Sequence, residues 1–138
     1  MKKGLLIFTL LISNFVYSQN DYVDIITQTA KNHDQRELDS LAKTIGYKGG
    51  ESVKVYVLFK VNEKGEIFDI RARGPHKIFE EEGIKLVKEI PKLDPPKNFE
   101  KGKSMSFALP LKMVIETDSE KKKRIKKEQR AKEKKKNN

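Results

Sequence analysis

Between residues 53 and 115 the apolar positions alternate, then recur at helical spacing, then alternate again. Val53, Val55, Val57, Phe59 and Val61 share one face of a strand, while Lys54, Tyr56, Leu58 and Lys60 share the other. Residues 62–66 then read as a hairpin turn in which Gly65 supplies a positive φ. The next alternation puts Phe68, Ile70 and Ala72 on one face and Asp69, Arg71 and Arg73 on the other. Over 77–90, Phe79, Gly83, Leu86, Val87 and Ile90 mark one side of a helix that Pro91 ends. Gly83 costs that helix about 1 kcal/mol relative to Ala, and a small residue on the buried side lets the helix lie close to the sheet. Asp94, Pro95 and Pro96 keep the following chain extended. A last strand carries Met105, Phe107, Leu109, Leu111, Met113 and Ile115 on one face and Ser104, Ser106, Ala108, Pro110, Lys112 and Val114 on the other.

Upstream, residues 20–46 read as two helical pieces. Tyr22, Val23, Ile25, Ile26 and Ala30 form the first apolar stripe, and Leu38, Leu41, Ala42 and Ile45 the second. Asp34 and Glu37 are spaced as a capping box, and Gly46 is a helix stop. The pattern predicts an α+β fold. Its centre is a β-β-α-β unit, a three-stranded and mostly antiparallel sheet with a helix on one face, completed by N-terminal helices.

Charge changes this picture little. Of the net +10, residues 118–138 contribute 11 Lys/Arg against 4 Asp/Glu, whereas residues 19–117 are nearly balanced at 17 against 16. The basicity therefore belongs to a tail whose only apolar residues are Ile125 and Ala131. At the other end, Lys2 and Lys3 precede a short apolar run, and Val16 and Ser18 suit a cleavage site after Ser18. Residues 1–18 are thus expected to be a signal peptide and the protein to be exported to the periplasm. The alternative is an uncleaved segment tethering it to the inner membrane. With no Cys, no disulfide supports the fold. The expected organisation is a leader over 1–18, a helical segment over 19–49, a domain over 50–116 and a basic tail over 117–138.

Four segments in order carry a family resemblance: VYVLFKVNEKGEI, EGIKLVKEIP, the KLDPP…GK turn, and FALPLKMV. Together they resemble the C-terminal domain of TonB, in the form common in Bacteroidetes, over about residues 50–116. The resemblance implies a domain that binds a short peptide of an outer-membrane TonB-dependent transporter by adding it as a strand, within energy-coupled transport. The chain shows neither the long membrane helix nor the Pro-rich spacer of that family, so the resemblance implies peptide binding more than force transmission.

Pro110 bears on where such a peptide would bind. Proline has no N–H to donate, so it suits an edge strand. If the edge opens where Pro110 points, Ser104, Ser106, Ala108 and Lys112 offer backbone N–H and C=O groups outward. Pro110 equally suits protection of a bare edge, and such an edge also allows pairing with a second copy of the chain. The sharper alternative places binding in the tail: Lys121, Lys122, Lys123, Arg124, Lys126 and Lys127 would dock on an anionic envelope surface, making the protein a structural or tethering component. Nucleic acid is not expected as a partner, because no aromatic residues interleave the tail cations.

Little else points to chemistry. His33 and His76 lack partners at metal-ligand spacing, so no metal or cofactor is implied and both are expected to be solvated. Asp69, Arg71 and Arg73 read as members of cross-strand pairs with Lys54 or Lys60. Glu80, Glu81 and Glu82 fan around the first turns of a helix, where acidic residues suit the dipole. No nucleophile motif or phosphate loop appears, so no enzyme is expected.

Overall fold

The computed structural model describes residues 7–8 and 19–138. Apart from Ile7 and Phe8, the expected leader lies outside the described residues. The elements run β1 (Ile7–Phe8), α1 (Gln19–Asn32), α2 (Arg36–Thr44), β2 (Ser52–Val61), β3 (Ile67–Arg73), α3 (Lys77–Lys88), β4 (Met105–Val114) and α4 (Asp118–Lys136). The protein is α+β. Its three long strands form an antiparallel open sheet in the order β4-β2-β3, and the two-residue β1 adds to the outer side of β4. No helix among the described residues is long and apolar enough to cross a membrane.

The β2–β3 hairpin closes through the Asn62 side chain, whose Oδ1 accepts from the N–H groups of Lys64 and Glu66, both at 2.9 Å. Gly65 takes φ +79, and a Cβ there would stand 2.5 Å from the Leu93 carbonyl oxygen. The glycine thus lets the crossover after α3 dock on the turn. Leu93 donates its N–H to the Gly65 carbonyl at 3.0 Å and is fully buried. Tyr22 of α1 donates its hydroxyl to the Asp94 carbonyl at 2.5 Å, which ties the same crossover to the N-terminal helix.

All buried strand positions point to one side. Val53, Val55, Val57, Phe59 and Val61 of β2 join Phe107, Leu109, Leu111 and Met113 of β4 beneath Ile26, Leu38, Phe79, Leu86 and Val87 of the helices. Each such side chain contributes about 1.5–3 kcal/mol when fully buried. Phe59 and Phe107 are cross-strand partners and stack at 5.2 Å. Gly83 does what its position suggested: a Cβ would stand 2.8 Å from Val57 Cγ2 and 3.2 Å from Val55 Cγ1, so α3 rests directly on the middle of β2.

Three local expectations are corrected. Strand β3 does not alternate throughout, because Asp69 adopts φ +50 and the register slips between Leu58 and Lys60. This bulge puts an extra residue in β3 and reverses the alternation across it. Phe68 therefore faces outward with Arg71 and Arg73, while Ile67, Ile70 and Ala72 pack against the core. Asp34 and Glu37 form no capping box: Asp34 accepts from Arg36 N at 3.1 Å, and Glu37 instead pairs with Lys85 at 3.3 Å. The connecting helix ends at Lys88, not at residue 90.

Candidate functional site

The parity of β4 decides which of its groups are available. Ile115 donates its N–H to the Glu51 carbonyl at 2.8 Å, toward β2. Odd-numbered residues therefore direct their backbone groups into the sheet, and even-numbered ones direct them out of it. Side chains of α2 and its cap satisfy two of the outward groups. Gln35 Nε2 donates to the Val114 carbonyl at 2.8 Å, and Glu116 N–H donates to Asp39 Oδ1 at 3.1 Å. Burial raises the Asp39 carboxyl pKa, and the hydrogen bonds from Gln35 and Glu116 only partly oppose it. These two contacts close the C-terminal end of the edge.

Further along, Ile7 pairs with Lys112 and Phe8 with Leu111. Lys112, expected to offer its backbone outward, is therefore engaged by β1 in the full chain. Ser106 and Ala108 lie on the outward side of β4 beyond β1, and Pro110 sits between with only a carbonyl to offer. Ser104 is a correction. The ladder ends at the Val61–Met105 pair because Asn62 turns the partner strand away, so Ser104 precedes the strand and has no ladder position.

Among the described residues, no element covers the face of the sheet opposite the helices. Tyr56 is 52% exposed, Leu58 50% and Phe68 41%. Across the strands, Lys112 lies opposite Lys54, and three further rows run Pro110–Tyr56–Arg73, Ala108–Leu58–Arg71 and Ser106–Lys60–Phe68, with the β2 residue in the middle of each. Lys60 and Arg71 both pair with Asp69, at 3.5 and 3.0 Å. The Arg71 hydrogen bond, with the help of Lys60, holds the Asp69 carboxyl below the usual range. Of the three residues read as cross-strand partners, Asp69 thus pairs with Lys60, whereas Arg73 forms no ion pair among the described residues.

The tail is a single helix. Thr117 and Glu120 form a full capping box at its start, a signal the sequence carried at a position outside the candidate domain. None of its side chains is buried. Lys121, Lys122, Lys123, Lys126 and Lys127 ride on this helix, but Arg124 turns back onto the domain. Its Nε and Nη2 reach Glu116 at 2.9 and 3.1 Å, and Nη1 reaches Glu128 at 3.3 Å. These hydrogen bonds hold the Arg124 pKa above its ordinary value, and they commit its guanidinium to carboxylates of its own chain.

Of the two histidines, only His33 departs from the solvated expectation; His76 is exposed. His76 caps α3, its Nδ1 accepting from Ile78 N–H at 3.2 Å. The His33 side chain is 1% exposed, with Nε2 at 2.5 Å from Glu82 Oε1 and Nδ1 at 2.8 Å from Glu89 Oε2. Burial alone would lower its pKa, but the two carboxylates together outweigh this and raise it. The imidazolium therefore clamps the end of α1 to α3. Sequence spacing gave no sign of it, since the partners lie 49 and 56 residues away. The neighbouring Glu80 and Glu81 serve locally, accepting from Gly74 N–H at 3.0 Å and pairing with Lys77 at 3.5 Å. Among the described residues no group of three or more acidic, His or Cys side chains is arranged to hold a metal ion.

Compared with protein-family models, with curated proteins and with solved structures, the chain matches none.

Proposed function

We propose that this protein is a periplasmic TonB-like interaction domain that takes up an extended peptide of an outer-membrane TonB-dependent transporter along β4, by strand addition. The observation that carries the reading is the position of β4. It flanks the sheet, pairs with β2 on one side only, and receives on its other side an antiparallel segment of its own chain. An edge that accepts Ile7 and Phe8 has the geometry to accept a foreign strand. Removal of a leader containing those two residues would free Lys112 and lengthen the open edge. The four segments resembling TonB cover this same unit and end on this same strand. A transport role would then rest on a partner that supplies force.

The test is an NMR titration of the labelled protein with peptides resembling the transporter segment. Shifts concentrated on residues 105–112 support the reading. Shifts concentrated elsewhere, or on the outer side of β3, refute it.

One observation favours a second reading: α4 buries nothing while carrying most of the net charge. In that reading α4 docks on an anionic envelope surface and the domain is a scaffold. Deleting residues 118–138 and measuring envelope co-sedimentation at two salt concentrations separates the two. Salt-sensitive binding that disappears with the tail supports docking, and unchanged binding removes it.

A further inference from the structure

The open face of the sheet selects which side chains an added strand can carry, an inference that rests on the strand-addition reading. Lys54 and Lys112 are direct cross-strand partners, and neither forms an ion pair among the described residues. Like charges placed opposite each other on one face repel, so this pair is a standing electrostatic cost that an anion would relieve. Two rows further along β4, Ala108 sits beside Leu58, which is 50% exposed. The small alanine leaves a dip between the outer border of β4 and the Leu58 side chain. A large apolar residue laid over Ala108 would cover Leu58, and Pro110 between the two rows keeps the intervening position free of a donor.

We infer that the preferred peptide carries a carboxylate opposite Lys112 and a large apolar side chain opposite Ala108. The register of β1 fixes the geometry. The carboxylate takes the place of Ile7, opposite Lys112, and the chain runs antiparallel to β4. Side chains two apart share a face of a strand, so the two determinants are four residues apart with the acidic one first: Glu-x-x-x-Leu. Long side chains let both ammonium groups of the Lys54–Lys112 pair approach one carboxylate. The occupant is a peptide and not a lipid surface because the contact runs through the backbone edge of β4, which an extended chain can pair with, as β1 does, and a headgroup cannot.

The experiment uses the full chain and three soluble ten-residue peptides on a Thr/Ser background, bearing Glu-x-x-x-Leu, Gln-x-x-x-Leu or Leu-x-x-x-Glu. Any competition from β1 reduces all three affinities by one factor, so their ratios are informative. The expected result is that the Glu-first peptide binds about three- to tenfold more tightly than either control, the size expected of one or two exposed charge pairs. In the Lys54→Gln/Lys112→Gln variant the preference should disappear. Equal affinities of the three peptides, with NMR shifts still on β4, overturn the side-chain inference and leave strand addition standing. No binding by any peptide overturns both. Binding of anionic phosphatidylglycerol vesicles that depends on Lys54 and Lys112, without a peptide preference, also overturns it.

Discussion

Replacing His33 by Ala tests the clamp between the N-terminal helix and α3. The wild-type imidazolium is 1% exposed and satisfies Glu82, whose side chain is 9% exposed, and Glu89, at 44%. Without it, Glu82 is left as a buried carboxylate lacking its partner. Breaking a buried pair costs about 3–5 kcal/mol, whereas the more exposed Glu89 contact adds at most about 1 kcal/mol. The lower end of that range, about 3 kcal/mol, is expected near pH 5.5–6. That is a large fraction of the roughly 5–15 kcal/mol that holds a domain together.

The pH dependence gives the sharper discrimination. The folded-state pKa of His33 lies above the ordinary histidine value of 6.5. Below that value the ring is charged whether or not the chain is folded, and its contribution is complete. As pH rises through the raised folded-state value, the ring loses a proton, one nitrogen no longer donates, and the contribution is lost. Urea unfolding followed by far-UV circular dichroism should therefore show a wild-type advantage over His33→Ala that is largest near pH 5.5–6. By pH 9 it should shrink to about 1 kcal/mol or less. A difference that stays constant with pH, or grows, would refute the account of His33 as a charged clamp.

Three further outcomes are expected. Gly83→Ala gains about 1 kcal/mol in helix propensity but sets a methyl 2.8 Å from Val57 Cγ2; overpacking of about 1–3 kcal/mol should prevail, lowering the urea midpoint, and a raised midpoint would contradict the close packing of α3. Thr117→Ala removes the capping box and about 1 kcal/mol from the start of α4. Because α4 buries no side chain, the helical signal should fall while the cooperative unfolding midpoint barely moves; a matching drop in the midpoint would mean that α4 is coupled to the core. Pro110→Thr restores an outward N–H in the middle of the β4 edge, so sedimentation analysis should show more self-association than wild type, and an unchanged monomer would argue against an accessible edge.

The alternation of β2 and β4 and the helical stripe of α3 were legible because each element buries one face against a single partner layer. Pro110 likewise announced a flanking strand, since only there is its missing N–H harmless. Phe68 was misplaced for a physical reason: the bulge at Asp69 inserts one residue, and nothing in a period-two pattern marks where an extra residue will be absorbed. The side-chain caps on the edge, Gln35 and Asp39, were equally hidden, because they meet Val114 and Glu116 across separations of 79 and 77 residues. His33 failed the same way: a lone histidine is silent until tertiary structure brings Glu82 and Glu89 to it. Tail helicity was more accessible, since Thr117 and Glu120 stand at capping-box spacing.

The most direct measurement of the central claim is amide hydrogen exchange at Ser106, Ala108 and Lys112, with and without a saturating extended peptide, in a chain beginning at residue 19. Their outward N–H groups should exchange readily in the free protein and become protected together when peptide is added, while those of Phe107, Leu109 and Leu111 stay protected throughout. If the three outward amides are already protected without peptide, or if added peptide protects only β3, strand addition along β4 is contradicted.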